Sequence, residues 1–406
     1  MPATAITALL RFPGENLAQV LSTHEVELSA HDPYRDARFE LQGQDVPLAA
    51  NFTAGYGLWL ARSGFNRQSL RSLLGREQGI DRPHLYLMQP YDPDRRIILM
   101  IHGLASSPEA WVNVANELLR DDEIRRDFQV WQFYYPTNMP IAMSHDAMRH
   151  TLAEVFKHFD PSGKAQASHD MVLVGHSMGG VVARLTQRLP NYVPRSVDTI
   201  VTLSTPHAFP PVPFDRSVER VYNMVNDKWT LPEEEPLLLS VAGGVLDTQL
   251  SSDASSLSLA HIQAPVARLS TFTTALAMLW SSVDHLAVVW CDQLRYKIAR
   301  GLLLDYKFFG KESEHRALPL VRIERREMWR KLLGVSNDAA TPEERHMEAQ
   351  VAQQGPLRLR DLSPSMGRDT EGQEGVLMHQ PGAELHAVLT SPGPRATHDW
   401  HVQPDE

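Results

Sequence analysis

One stretch of the chain, MVLVGHSMGGVVARLTQR at residues 171–188, constrains the fold more than any other. Its first four residues are apolar and predict a buried strand, and the residues after Gly180 have the i, i+4 spacing of an amphipathic helix. Between the two lies Gly-His-Ser-Met-Gly, which leaves room for a tight turn only. This order predicts that Ser177 has a strained backbone conformation and that neighbouring backbone leaves no space for side chains at Gly175 and Gly179.

A strand, a tight turn and a helix around Gly-x-Ser-x-Gly form a nucleophile elbow, which raises a serine oxygen above the edge of the sheet. The N-terminus of the new helix then stabilises negative charge that develops beside the serine. We therefore predict that Ser177 is a nucleophile and that the chain has an α/β-hydrolase fold. The alternative is an ordinary turn, which the apolar strand before it and the helix after it disfavour.

Composition narrows the class of protein. Of the 406 residues, 43% are hydrophobic, which is ordinary for a soluble globular protein. The net charge of -10 argues against a nucleic-acid partner. The single cysteine, Cys291, cannot form an intrachain disulfide. The sequence shows no signal peptide and no uncharged apolar run of about 18 residues, so we expect a soluble or peripherally membrane-associated protein.

From His84 onward, apolar strands alternate with amphipathic helices. The predicted strands cover residues 84–90, 96–101, 130–135, 171–174, 199–203 and 237–242. Their spacing suits βαβ crossovers, which predicts a mostly parallel central sheet flanked by helices. Two insertions, at 207–213 and 251–270, follow strand ends, where such sheets bind ligands, and are interpreted as lid or cap segments.

The chain divides into four predicted segments. These are an N-terminal extension that packs on the sheet edge (1–83), the α/β-hydrolase catalytic domain (84–305), a C-terminal helical extension (306–335) and a disordered tail (336–406). The tail is rich in polar residues, proline and glycine and lacks apolar periodicity. In the first segment, the aromatic-rich stretch 47–62 predicts a helix that covers the sheet edge, with contact to a membrane surface as the alternative.

A serine becomes a good nucleophile when a histidine accepts its proton and a carboxylate orients that histidine. In this fold the acid follows the nucleophile along the chain and lies just after a strand. Asp247 meets both conditions, because a buried strand and a glycine turn precede it. Asp253 is the alternative, in a less constrained loop.

The histidine base should follow the acid, in a loop before a last helix. His285, within Ser-Val-Asp-His-Leu, meets this condition, and His261 is an alternative. His207 comes too early for the usual order, directly after a predicted strand. We interpret it, together with Phe209 and Phe214, as a substrate-binding residue at the mouth of the site.

The reaction of an ester with a serine also needs two backbone N–H groups that bind the oxyanion. One is predicted from Met178, the residue after the nucleophile, and the other from Leu104, in the loop after the strand 96–101. His102, next to that loop, is interpreted as structural. The histidine spacings do not predict a metal site, and no nucleotide-binding motif is present, so no cofactor is expected.

Five segments of the sequence carry a resemblance to a known family. They are VGHSMGGVVAR (174–184), STPHAFPPVPFDR (204–216), VNDKW (225–229), LLSVAGGVLDTQL (238–250) and SSVDHLAVVWCDQL (281–294). In this order they resemble the GPI inositol-deacylase family of lipase-like α/β-hydrolases, over roughly residues 97–300. Carried over residue by residue, the resemblance implies Ser177 as nucleophile, Asp247 as acid and His285 as base.

These observations together predict a serine hydrolase that cleaves the carboxylic ester of a lipid or glycolipid. The resemblance implies removal of an acyl chain from inositol, and it implies proximity to the endoplasmic reticulum membrane, where family members are anchored. The same three residues would serve a general lipase or esterase, or an acyltransferase. A hypothesis of another class is a catalytically silent hydrolase-fold module that binds a partner.

Overall fold

The computed structural model describes most of the chain up to residue 335. The described residues are 5–41, 43–65, 82–186, 197–208, 236–243, 246–250, 252–255, 257, 268–273, 276, 283–310, 315–316 and 318–335. The predicted tail 336–406 therefore lies outside them, as does most of the two predicted lid segments.

The N-terminal segment begins with two small antiparallel strand pairs and two helices. Its elements are β1 (Thr7–Arg11), α1 (Leu17–Ser22), β2 (Glu27–His31), β3 (Arg38–Leu41), β4 (Gln44–Pro47) and α2 (Phe52–Ser63). Strand β1 pairs with β2, and β3 pairs with β4. Of these elements, α2 is the one that buries aromatic residues against the main body of the protein.

The main sheet has seven strands within the described residues. They are β5 (His84–Leu87), β6 (Arg96–Ile101), β7 (Phe128–Tyr134), β8 (Met171–His176), β9 (Val197–Leu203), β10 (Leu237–Ala242) and β11 (Arg268–Phe272). Their spatial order is β11-β10-β9-β8-β6-β7-β5. All neighbours are parallel except β5, which pairs antiparallel with β7 at one edge.

Helices cover both faces of this sheet. They are α3 (Val112–Arg120), α4 (Asp122–Asp127), α5 (Ile141–Phe159), α6 (Met178–Thr186), the short α7 (Ser252–Ser255), α8 (Asp292–Phe309) and α9 (Pro319–Leu333). The predicted α/β-hydrolase fold, a mostly parallel sheet flanked by helices, is confirmed. None of the helices in the described part of the chain combines the length and apolar character needed to cross a bilayer.

Strand β6 shows why the sheet is covered on both faces. All six residues of Arg-Ile-Ile-Leu-Met-Ile are buried. Ile98 and Met100 belong to one hydrophobic core, whereas Ile97, Leu99 and Ile101 belong to the core on the other face. Successive side chains of a strand point to opposite faces, so a strand buried on both sides reads as one continuous apolar run.

The predicted strand at 96–101 has the observed bounds, but several other elements are longer than predicted. Strand β8 continues to His176 rather than ending at residue 174, and β9 begins at Val197 rather than at residue 199. Strand β11 was missed, because its first three residues were assigned to the polar insertion 251–270. In this edge strand only Leu269 and Thr271 are buried, so its sequence is as polar as that of a loop.

Helix α2 packs its aromatic residues into the core next to the sheet edge. The Tyr56 hydroxyl accepts a hydrogen bond from Gln132 Nε2 of β7 at 2.6 Å and donates one to the Pro108 carbonyl at 3.2 Å. Trp59 contacts Tyr86 of the edge strand β5 edge-on, with ring centroids 4.9 Å apart. The side chains of Tyr56 and Trp59 are both buried, so they do not form the exposed membrane-binding patch considered as the alternative.

A buried cluster of five charged side chains lies at the N-terminal ends of β6 and β9. Asp198 of β9 accepts hydrogen bonds from Arg96 of β6 at 3.0 Å and from Arg316 and Arg325 at 2.7 Å each. Asp305 of α8 is bound by the same Arg316 at 2.9 Å and by Arg325 at 2.7 Å. The cluster therefore joins residues of the predicted C-terminal extension to two strands of the predicted catalytic domain.

Burial alone would raise the pKa of both carboxyl groups of this cluster. Arg316 and Arg325, with Arg96 at Asp198, instead hold the pKa of Asp198 and Asp305 below the usual value. A lowered folded-state pKa stabilises the fold above the unfolded value of about 3.9, and this stability is lost as pH falls towards the folded-state values. The cluster should therefore make the protein sensitive to acid.

The substitution Arg325→Met tests this cluster. Removing one cation leaves the two buried carboxylates short of positive charge, so we expect unfolding free energy at neutral pH to fall by about 3–5 kcal/mol. Chemical denaturation measures the change, and the loss of stability between neutral and acid pH should be smaller in the variant. Arg330→Met, on the same helix, removes a partly exposed pair with Glu327 and a hydrogen bond to the Val335 carbonyl, and should cost about 1 kcal/mol. Equal losses in the two variants would contradict the prediction.

Candidate active site

The turn between β8 and α6 holds Ser177 at a φ of 51°, in the left-handed region. Its N–H donates to the Leu203 carbonyl of β9 at 2.9 Å. A Cβ built on Gly175 would lie 2.5 Å from the Gly180 Cα, and one built on Gly179 would overlap backbone oxygen atoms at the end of β6. Close backbone contacts therefore exclude side chains at Gly175 and Gly179. The absence of these side chains lets the turn pack directly against the end of β6.

The substitution Gly179→Ala should displace the turn, because the new methyl group meets backbone atoms that cannot move aside cheaply. We expect a loss of about 1–3 kcal/mol of stability and a much larger loss of reactivity at Ser177. Thermal unfolding and labelling by a fluorophosphonate probe measure the two effects. Gly57→Ala is the matched control, because a Cβ at this helical position has nothing within 4 Å. It should leave labelling unchanged and keep or raise the melting temperature, and a labelled, fully stable Gly179→Ala would contradict the prediction.

His285 lies between Ser177 and Asp247. Its Nε2 is 2.9 Å from the Ser177 Oγ, and its Nδ1 is 3.1 Å from the Asp247 Oδ2. A carboxylate only accepts hydrogen bonds, so Nδ1 carries the proton and Nε2 is free to accept the hydrogen of the serine hydroxyl. The structure thus brings together the three residues predicted as nucleophile, base and acid, in the tautomer that proton transfer from serine requires.

The Asp247 carboxylate is fixed by its own turn after β10. Its Oδ1 accepts the backbone N–H groups of Gln249 at 3.2 Å and Leu250 at 3.0 Å, which leaves Oδ2 for His285. A Cβ on Gly243 would come within 2.8 Å of the Asp247 Cβ, so this glycine allows the acid to approach the strand end. The alternative acid, Asp253, lies on α7, and the alternative base, His261, lies outside the described residues.

The loop after β6 passes directly beside the serine. A Cβ on Gly103 would lie 2.9 Å from the Ser177 Cβ. The buried His102 accepts the Tyr135 N–H at Nε2 (3.3 Å), so its Nδ1–H donates to the Gly103 carbonyl at 3.0 Å. The C=O and N–H of a trans peptide point in opposite directions, so this bond turns the Leu104 N–H away from His102.

Burial lowers the pKa of His102 to about 4, which keeps its ring neutral and its donor defined at neutral pH. The interpretation of His102 as a structural residue agrees with this arrangement. The oxyanion-binding roles of the Leu104 and Met178 N–H groups stay predictions.

His207 is not at the mouth of the site, which corrects the prediction that it contacts substrate. Its side chain is fully buried, with Nδ1 3.0 Å from Arg184 Nη1 and Nε2 2.9 Å from the Ser240 Oγ of β10. Burial lowers its pKa well below the usual value, and the neighbouring Arg184 and Arg268 lower it further. The ring therefore serves to pack the loop after β9 on β10. The other two predicted substrate-binding residues, Phe209 and Phe214, lie outside the described residues.

Exposed apolar side chains, which the sequence patterns do not predict, lie near the predicted functional residues along the chain. Leu246 directly precedes the acid and Leu286 directly follows the base. The exposed fractions are 56% for Leu104, 55% for Leu246, 47% for Leu286 and 53% for Trp290. We call these four residues the apolar rim. Single exposed apolar residues are common in proteins, but here each lies on a loop that carries a predicted part of the site.

Among the described residues, no group of three or more His, Cys, Asp or Glu side chains is arranged to hold a metal ion.

Comparison with known proteins adds the following findings. A family model described as PGAP1-like alpha/beta domain matches residues 92–305, more than half of the chain. The GPI inositol-deacylase of Kluyveromyces lactis is 44% identical over 141 residues, which are 33% of this chain and 14% of that protein. The GPI inositol-deacylase of Eremothecium gossypii is 36% identical over 209 residues, 48% of this chain and 20% of that protein. The matched part of this chain thus spans a fifth or less of the length of these relatives.

Solved structures of lower identity also match. The mature form of the Bacillus licheniformis lipase BlEst2 is 14% identical with a TM-score of 0.36, covering 54% of this chain and 98% of that chain. A Pyrobaculum calidifontis esterase is 13% identical with a TM-score of 0.38, covering 60% of this chain and 92% of that chain.

Proposed function

The chain belongs to the family described as PGAP1-like alpha/beta domain, and on that premise we propose that it is a serine hydrolase that cleaves a carboxylic ester of a lipid or glycolipid. The family resemblance read from the sequence is confirmed by this match and by the relatives named GPI inositol-deacylase. The observation that carries the proposal is the hydrogen-bonded series Ser177–His285–Asp247, at 2.9 and 3.1 Å.

In the proposed reaction, the Ser177 Oγ attacks the acyl carbonyl carbon while His285 Nε2 accepts the hydroxyl proton. The C=O double bond opens, and its oxygen takes up negative charge that the Leu104 and Met178 N–H groups bind. Asp247 holds the imidazolium through Nδ1–H. The tetrahedral intermediate then collapses, and the alcohol leaves with the proton from His285, which gives an acyl-enzyme ester on Ser177.

Water completes the cycle. His285 Nε2 takes a proton from a water molecule, whose oxygen attacks the acyl carbonyl. The bond to the Ser177 Oγ then breaks, and the serine oxygen recovers its proton from His285. The acyl chain is released as a carboxylic acid. An alcohol in place of water would make the same site an acyltransferase, and the three residues would have the same roles.

For the substrate we propose an acyl ester of inositol in a GPI-type glycolipid. The support is the name of the relatives, which are 36% to 44% identical to this chain over the matched segments, together with the apolar rim. Exposed leucine and tryptophan side chains beside the predicted site suit an acyl chain better than they suit a small polar ester. The proposal includes peripheral contact between this rim and a membrane surface, where such a lipid is found.

A fluorophosphonate probe followed by a substrate panel tests the proposal. The probe should label the wild type under native conditions and should not label Ser177→Ala. Absence of labelling in the wild type would overturn the serine hydrolase and favour a silent binding module. Equal labelling of the two would show that the probe reacts elsewhere and would overturn Ser177 as the nucleophile. The panel contains short p-nitrophenyl esters, phospholipids and inositol-acylated GPI. Release of the inositol-linked acyl chain supports the substrate, whereas turnover of short soluble esters alone contradicts it.

A further inference from the structure

The residue before the predicted nucleophile makes a hydrogen bond that the sequence does not reveal. His176 is the last residue of β8 and is buried. Its Nε2 lies 2.7 Å from the backbone carbonyl oxygen of His285, 109 residues further along the chain. A carbonyl oxygen only accepts hydrogen bonds, so His176 carries a proton on Nε2 and donates it to the main chain of the predicted base.

The other ring nitrogen of His176, Nδ1, is buried and has no hydrogen-bond partner among the described residues. A Cβ on Gly103 would lie 3.1 Å from it. Burial lowers the pKa of His176 to about 4, although the hydrogen bond to the His285 carbonyl acts in the opposite direction. The His176 ring is therefore uncharged near pH 7, and its one N–H group donates to the His285 carbonyl.

The loop that carries His285 has local hydrogen bonds that fix its shape, and the buried Val288 and Val289 pack the residues after the histidine into the core. The Asp284 Oδ1 accepts the N–H groups of Leu286 at 2.9 Å and Ala287 at 2.6 Å, which forms a turn around the histidine. All three groups of this turn belong to the same loop. The bond from His176 instead joins the loop to β8, at the residue directly bonded to Ser177.

We propose that His176 is a positioning residue of the reaction, because its Nε2–H fixes the main chain of His285 relative to the Ser177 elbow. The position of the His285 imidazole depends on the position of its Cα. The ring must stay within reach of the serine oxygen, 2.9 Å away, while it accepts the proton of Ser177 and later returns it. A fixed Cα limits that movement. The neutral ring, at 5.0 Å between centroids, adds no positive charge beside the imidazolium that forms on His285.

This inference rests on the proposed function, and it is tested with two variants of the same residue. His176→Phe keeps a flat ring of similar size but has no donor. His176→Gln places an N–H donor close to the position of the histidine Nε2. Hydrolysis is measured with an ester that the wild type turns over, and kcat is expressed per site labelled by the fluorophosphonate probe. Melting temperatures are recorded for both variants.

We expect His176→Phe to lower kcat per labelled site by about 10- to 100-fold with little change in KM, because small misplacements of a catalytic group cost this much. His176→Gln should recover most of the loss. A purely structural role would lower the melting temperature and the number of labelled sites but would leave kcat per site unchanged.

Two results would overturn the inference. One is a His176→Phe variant with wild-type kcat per site, and the other is a loss that His176→Gln does not recover. A wild type that hydrolyses no ester overturns the proposed function and this inference together, whereas an active wild type with an equally active His176→Phe overturns this inference alone.

Discussion

Replacing Ser177 by alanine is expected to lower kcat for ester hydrolysis by about 10⁴- to 10⁶-fold while the protein stays folded. The hydroxyl is the atom that forms the acyl-enzyme, and no other side chain at 2.9 Å from His285 Nε2 is available to replace it among the described residues. The oxyanion-binding N–H groups and substrate binding would leave the small residual rate. Steady-state kinetics and thermal unfolding measure the two quantities.

Two further variants sharpen this expectation. Ser22→Ala removes an exposed hydroxyl on α1 and should retain full activity. Ser177→Gly should be as inactive as Ser177→Ala but more stable than it, because glycine adopts the φ of 51° without strain. A Ser177→Ala variant with substantial activity would show that the reaction does not pass through this serine.

Asp247→Asn is expected to lower kcat by about 10⁴-fold, the magnitude known for the same change in other triads. An asparagine amide can donate to the His285 Nδ1, which would move the ring proton to Nε2. That nitrogen could then no longer accept the proton of Ser177, although every heavy atom kept its place. Kinetics on a soluble ester measure the loss, and the melting temperature should change little in comparison.

Asp253→Asn is the matched control for this change, because Asp253 is the alternative acid that the sequence offers. We expect it to keep activity within about a factor of three, because the proposed reaction gives Asp253 no role. A loss in Asp253→Asn as large as that in Asp247→Asn would contradict the assignment of the acid, and so would full activity in Asp247→Asn.

Much of this site could be predicted because its signals are local in the sequence. A four-residue apolar run, a glycine-flanked serine and a following helix indicate an elbow without knowledge of any distant residue. The acid and the base could be predicted from their places after a strand and before a helix, in the order usual for the fold. The bounds of β6 could be read from one continuous apolar run.

The features that were missed depend on contacts between distant parts of the chain. The ring of His207 is buried by partners on α6 and β10, 23 and 33 residues away, so its sequence neighbours gave no sign of burial. The bond from His176 spans 109 residues. Strand β11 pairs with β10 at the edge of the sheet, where a polar sequence is tolerated. In each case the feature depends on tertiary packing, which the local pattern of apolar residues does not reveal.

The buried charge cluster also determines how far a fragment of this protein can be shortened at its C-terminal end and still fold stably. The family match ends at residue 305, at the carboxylate of Asp305 itself. A chain that stopped there would bury two carboxylates, Asp198 and Asp305, without the guanidinium groups of Arg316 and Arg325 that neutralise them. The segment matched by the family model is therefore shorter than the segment needed to pair these buried carboxylates with cations. The second segment extends at least to Arg325 on α9.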